Sequence, residues 1–299
     1  MIAAILVAVS IVFPPEGAKL PHLERCYVMG AADAGEEVVG FRVSSCEFRV
    51  PIGRTGAWAA VIDVKPGTNV VEIGGVKRAF VVDAGGTSKT NGTSRTYKKL
   101  EYAGDVAKPH PTGRKPEEIT VVVDAGHGGH DMGALSPHGL PEKDANLRLA
   151  KQVRDELAGR GYKVVMTRED DVFVELYDRP KVAHKANADL FVSIHHNAPG
   201  YASDPFAIRS QSVYAWNEIG EKLAKAINAH MAAADPALKN EGVLHANFAV
   251  TRNPEIPSCL IEADYVTHPD GEVAAWDASR RPRIAAAIAD GIADWVAEK

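Results

Sequence analysis

Cysteine is scarce in this chain: there are three in 299 residues, Cys26, Cys46 and Cys259. That is too few for a disulfide framework, and the spacing does not suit a cysteine-ligated zinc site. Cys26 and Cys46 lie near enough to pair in an oxidising compartment, though two small buried thiols is the simpler expectation. Positive charge is also short. With 34 Lys and Arg against 39 Asp and Glu, the formal net charge is -5, so the basic surplus of a nucleic-acid binder is missing and no such partner is expected. The apolar run that opens the chain, Met1–Phe13, falls short of the roughly 20 residues that cross a bilayer as a helix. Stable membrane insertion is therefore not expected. The run suits the apolar core of a secretory signal, with Ala8-Val9-Ser10 as small residues for cleavage, although no basic residue precedes it. This reading places the protein in the periplasm or outside the cell. A buried first strand is the alternative, because Ile and Val favour strands.

What is present divides the chain by texture. Residues 1–12 form the possible signal segment. Residues 13–84 read as short strands broken at Gly and Pro, as at Pro66-Gly67 and Gly74-Gly75, which predicts a small all-β sandwich. The segment from Gly56-Ala57-Trp58 to Pro66-Gly67-Thr68-Asn69 resembles bacterial immunoglobulin-like modules. No titratable cluster here reads as catalytic, so an accessory or spacer role is expected. Residues 85–118 are polar and sparse in apolar side chains, as a linker would be, and His110 there reads as a solvated histidine. From residue 119 to residue 299 the pattern alternates. Apolar strands at 119–123, 162–167, 189–194, 212–216 and 259–262 are interleaved with helices at 145–161, 179–187, 219–234 and 282–297. Near-continuous apolar strands between amphipathic helices imply an α/β domain with a mostly parallel sheet flanked by helices.

Four polar motifs follow strands or precede a helix in this second part, and in open α/β sheets active sites collect at the C-terminal strand ends. The first is Asp124-Ala-Gly-His127-Gly-Gly-His130-Asp131. It lacks the spacing of a phosphate-binding loop, whereas imidazoles in a glycine-rich turn suit a metal. The second, Gly139-Leu-Pro-Glu142, puts a carboxylate at a helix start, which the helix dipole alone would also favour. The third, Ser193-Ile-His195-His196, ends an apolar strand. Only one of its histidines can face a shared metal, and with both faces apolar the alternation does not choose between them. The fourth, Cys259-Leu-Ile-Glu262, carries a carboxylate straight after buried strand residues, so Glu262 needs an open strand end or a cation, such as Arg168 or Arg252.

Together these motifs resemble the zinc-dependent N-acetylmuramoyl-L-alanine amidases of bacterial cell-wall turnover. The resemblance runs from Ile119 to about Ile292 and adds Gly133-Ala134, Thr167-Arg168 and the stretch Ala188–Ala198. It implies Zn2+ bound by His127, Glu142 and His195, with Glu262 as the catalytic residue. It also implies peptidoglycan or muropeptides as substrate and hydrolysis of the amide between N-acetylmuramic acid and L-alanine. A zinc peptidase or carboxypeptidase acting on cell-wall peptides, or a non-catalytic peptidoglycan-binding protein, are the alternatives. The chain departs from the family pattern at Ala125, at His196 and across Ala263–His268. Some members carry a long helical insertion that blocks the zinc until a partner displaces it. Here only residues 199–211 separate the histidine strand from the next, so no activator protein is expected to be required.

Overall fold

The computed structural model describes residues 9–33, 38–43, 46–84, 110–111, 113–253 and 255–298. Its N-terminal part holds seven strands: β1 (Lys19–Leu20), β2 (Arg25–Ala31), β3 (Val38–Val43), β4 (Cys46–Pro51), β5 (Ala57–Asp63), β6 (Gly67–Ile73) and β7 (Val76–Val82). Strands β1, β7, β6, β3 and β4 make one sheet in that order, while β2 and β5 pair antiparallel in another. Period-two alternation turns Val39, Phe41 and Val43 inward. There they share one core with Cys26, Val28 and Trp58 of the opposing sheet and with Phe80, which makes the unit a sandwich. Cys26 is a free, buried thiol whose Sγ donates to Tyr27 O at 3.2 Å. The side chain of Cys46 lies outside the described residues.

The sandwich begins earlier than the expected boundary at residue 13. Val9 bridges Ala32 and Phe13 bridges Met29, Ser10 N donates to Ala31 O at 2.8 Å and Val12 N to Met29 O at 2.9 Å, and Ile11 is buried in the core. Residues 1–8 lie outside the described residues. The other boundary moves too. His110 is exposed, as expected, but its ring also packs edge-on against Trp295 with centroids 4.5 Å apart. Arg114 donates to Asp189 at 2.5 Å. The chain from residue 110 thus already belongs with the second domain; residues 85–109 lie outside the described ones.

The second domain runs β8 (Thr120–Ala125), α1 (Glu142–Gly159), β9 (Lys163–Met166), α2 (Arg179–Lys185), β10 (Leu190–Asn197), β11 (Gln211–Ala215), α3 (Glu218–Ala234), β12 (Asn240–His245), β13 (Ser258–Tyr265), α4 (Pro269–Trp276) and α5 (Arg280–Ala297). The sheet order is β12-β11-β13-β10-β8-β9. Every pair is parallel except β11 with β13, so the sheet is mixed with a parallel centre. Alternate side chains separate into two cores. Val121, Val123, Leu190, Val192, Ile194, Cys259 and Ile261 pack under α1, α3 and α5. Val122, Phe191 and Leu260 face the other way, toward Ala183 of α2 and Val250 and Ile256 of a loop. That second face is covered thinly, and register aligns His195 with Glu262 at its open edge.

The N-terminal domain is not a spacer held away from this edge. Tyr27 N donates to Tyr201 O at 2.8 Å, and Phe13 stacks on Tyr201 with centroids 5.7 Å apart. Arg54 reaches Asp270 at 2.7 Å.

Candidate active site

His127 sits in a turn that the backbone makes sharp. Its φ is 60°, and Gly128 and Gly129 follow at 130° and 58°. A non-glycine residue held in the left-handed region costs about 1–3 kcal/mol unless its surroundings compensate. Two buried arginines do so. Arg179 donates to Ala125 O and His127 O at 2.8 Å each, and Arg168 donates to Ala125 O and Gly126 O at 2.9 Å each. Burial and the neighbouring Arg179 charge hold the Arg168 guanidinium below its usual value. Beneath the turn, fully buried Asp124 accepts from Arg179 at 2.8 Å, Thr167 at 2.6 Å and Ser193 at 2.6 Å.

Glu142 opens α1 and is tied at both ends. Its N–H donates to Ala134 O at 2.8 Å and its Oε2 accepts from Ala134 N at 2.9 Å. Its Oε1 accepts from Asn146 Nδ2 at 2.9 Å and lies 3.2 Å from His127 Nε2 and 3.1 Å from His195 Nδ1. Helix-start position and site position are therefore the same position. Burial pushes the Glu142 carboxyl up, but the two imidazoles outweigh it and hold it well below the usual range. Burial also opposes a proton on His127, yet Glu142 and Asp131 together raise its pKa to about 9.

Parity along β10 separates the two histidines. His196 shares the face of Leu190, Val192 and Ile194, is buried, and bonds Asn146 Oδ1 through Nδ1 at 2.8 Å. Burial pushes its pKa down to about 3, so it stays neutral. His195 shares the other face and meets His127, with ring centroids 5.0 Å apart at 78°. Space for this meeting depends on two glycines. A Cβ on Gly126 would lie 2.2 Å from His195 Cε1, and one on Gly133 would lie 2.6 Å from Glu142 Oε2 and 2.7 Å from His127 Cδ2.

The donor atoms of His127, Glu142 and His195 all lie within 4.8 Å of one another. Ligands about 2.0–2.1 Å from a tetrahedral zinc sit roughly 3.3 Å apart, and the 3.1 and 3.2 Å separations from the Glu142 oxygen match that spacing. Asp131 Oδ2, 2.9 Å from His127 Nδ1, fixes the tautomer that leaves Nε2 free to bind a cation. Glu262 stands beside this group across the β10–β13 register. Burial and then the Glu142 charge raise its carboxyl well above the usual range, and its Oε2 is buried with no hydrogen-bond partner among the described residues. The ion pair with Arg168 or Arg252 does not form: Arg168 serves the carbonyls above, and Arg252 lies over the Tyr177 ring at 5.9 Å. A cation among the three donors would answer the cost of the unpaired carboxylate. Such a set can polarise a carbonyl and move a proton.

Sequence reasoning missed Arg179, Asp131, Asp124 and Asn146. Asp131 lies four residues after His127, within the same quoted motif; the others become site residues only through tertiary contacts.

Similarity to known proteins points the same way. A family model described as N-acetylmuramoyl-L-alanine amidase matches residues 121–294. The chain is 33% identical over 218 residues to the amidase AmiA of Escherichia coli, spanning 58% of this chain and 74% of that one. Among solved structures, the amidase AmiC2 of Nostoc punctiforme superposes with a TM-score of 0.57 at 35% identity, covering 60% of this chain and 98% of its own. The CwlD amidase of Clostridioides difficile, solved in complex with the GerS lipoprotein, does so at 0.55 and 27%, covering 59% and 98%. By sequence and by fold alike, the chain belongs to the N-acetylmuramoyl-L-alanine amidase family.

Proposed function

We propose that His127, Glu142 and His195 hold a zinc ion and that Glu262 is the catalytic residue. The reaction is the family's, hydrolysis of the amide joining N-acetylmuramic acid to L-alanine in peptidoglycan. The observation that supports the zinc reading best is the convergence of three donors within 4.8 Å, the Glu142 oxygen at 3.2 and 3.1 Å from the two imidazoles, with a buried Glu262 oxygen one strand away that has no hydrogen-bond partner among the described residues.

Zinc, when bound, supplies Lewis acidity toward the scissile carbonyl and makes water acidic enough to attack near neutral pH. Glu262 takes the proton of the attacking water. Its place beside the three donors suits it to hold that proton and then deliver it to the amine of L-alanine as the bond breaks. Asp131 keeps the His127 ring oriented. Arg168 and Arg179 keep the turn in its left-handed geometry.

We place the enzyme in the periplasm or outside the cell, where peptidoglycan lies; among the described residues no helix is long and apolar enough to cross a membrane. We also propose that no activator is needed. His127 and His195 line a cavity of about 600 Å³ shared with Glu262, and the short 198–210 segment carries no helix to cover it.

Purified protein incubated alone with muropeptides, with product masses read before and after chelation, tests all of this. Release of stem peptide, its loss on chelation and its return with zinc are expected. Glu262→Gln should keep the metal by elemental analysis and lose at least about 100-fold in turnover. Near-parental turnover in that variant would remove Glu262 from the role.

A further inference from the structure

A second cavity, of about 420 Å³, reaches the same centre from the Glu142 side. His127 lines both cavities, so they meet at the histidine. An extended substrate whose scissile amide lies over the three donors would therefore have one portion in each lobe. The lobes differ in chemistry. The larger one is lined by charged side chains of both signs, Arg252 with Asp131, Glu175 and Glu262, beside Phe173 and Leu176, which suits a peptide with charged and varied side chains. Apart from His127 and Glu142, the smaller one has no ionisable wall but tyrosines, and its wall is aromatic.

That aromatic wall is built by both domains. Phe13 stacks on Tyr27 with centroids 4.5 Å apart at 30°, and on Tyr201 at 5.7 Å and 13°. The 2.8 Å bond from Tyr27 N to Tyr201 O locks the two domains together at this point. Tyr27 is 3% exposed and Tyr201 is 41% exposed, so the stack has a buried foot and an open end. Farther along the same segment, Arg209 is held by buried Asp264 at 2.9 Å. Small neighbours, Gly133, Ala134, Ala198 and Gly200, leave room beside the rings. Phe13 and Tyr27 lie outside residues 121–294, where the family model matches.

A rigid, flat, uncharged surface next to a catalytic centre fits a pyranose ring. One face of an N-acetylhexosamine presents C–H groups that pack on an aromatic plane, while its hydroxyls stay at the rim in water. We propose that the exposed Tyr201 ring, backed by Phe13 and Tyr27, is a glycan subsite, in which the N-terminal domain completes the substrate cleft of the catalytic domain. The proposal rests on the amidase reading above, because that reading supplies a substrate with sugar on one side of the amide and peptide on the other.

The test titrates the full-length protein with two probes by calorimetry: a peptide-free tetrasaccharide of alternating N-acetylglucosamine and N-acetylmuramic acid, and the free stem peptide. Tyr201→Ala and Phe13→Ala should each weaken the tetrasaccharide by about tenfold, the scale of losing one stacked ring, and leave the peptide unchanged. Tyr201→Phe keeps the ring and should bind both as the parent does. On glycan-bearing muropeptides, Tyr201→Ala should raise KM and spare kcat. The proposal is overturned if Tyr201→Ala binds the tetrasaccharide like the parent, if both probes weaken together with a fall in Tm, or if the parent shows no saturable glycan binding. Failure of the amidase reading looks different: the parent would release no stem peptide from muropeptides, whatever its binding.

Discussion

Glu142 shows how one side chain can serve a helix start and a candidate metal centre together. At the first position of α1 its charge is favoured by the helix dipole, while its Oε1 sits between two imidazoles. The centre is equally a matter of what is missing. Gly126 has no Cβ because the His195 ring occupies that space. Gly126→Ala should displace the ring and lower zinc affinity by at least about 10-fold to 100-fold, the range seen when a ligand loses its orientation; dialysis against competing chelators measures it. Proton competition gives a second expectation. Without metal, His127 holds its proton up to about pH 9, so zinc must displace that proton at neutral pH. Apparent affinity should rise about tenfold per pH unit up to that point and then level off. The same shift has a stability sign. Because the folded pKa lies above the ordinary 6.5, the metal-free fold gains stability that is complete below 6.5 and lost as pH rises through about 9. Thermal melts of metal-free protein across that window should fall accordingly.

Among the elements, β13 is the informative case. Its apolar core followed by Glu262 suggested an end at that residue, yet the strand continues to Tyr265. It can continue because Asp264, fully buried, is paired with Arg209 at 2.9 Å and Arg280 at 3.4 Å. Both partners are remote in sequence, so no local pattern announces that the charge is neutralised. Asp264→Asn keeps the shape and leaves the Arg209 guanidinium without its anion, while Arg280 retains Asp235 at 2.7 Å. A loss of about 3 kcal/mol is expected for a broken buried pair, or roughly 6–12 °C in Tm for a domain of this size, readable by calorimetry. Other elements show what was legible and why. The strands at 119–123 and 189–194 were visible because they are buried on both faces, and α1, α3 and α5 because their apolar stripes are continuous. Strand β12 was not: Asn240–His245 is a half-exposed edge strand containing Gly242. Helix α4 is short, and its start depends on the His268 side chain accepting from Asp270 N. That His127, Glu142, His195 and Glu262 would come together was legible through motif and strand ends. Alternation left His195 and His196 equal and only the resemblance favoured His195; the contact of His196 with Asn146 on α1 separates them physically.

For the whole molecule, the sandwich has its own core, separate from the two that flank the second domain's sheet, and texture alone separated the two units. Their docking was invisible in the sequence. No local pattern in Phe13, Tyr27 or Tyr201 says that a strand-rich unit will pack beside a metal centre; that juxtaposition arises only when two folded surfaces meet. The start of the first unit carries a practical consequence. Residues 9–13 run along β2 as an outer strand, and they approach so closely that a Cβ on Gly30 would collide with the carbonyl of Ser10. A chain shortened to begin at Phe13 would strip that cover, leave Ala31 O without its Ser10 donors and take one of the two donors from Met29 O. An uncovered strand edge is a template for other chains. Such a protein should self-associate with rising concentration, seen as a growing hydrodynamic radius in light scattering, while the full chain stays constant. Residues that resemble a disposable leader would then be what keeps one copy of the molecule from adhering to the next.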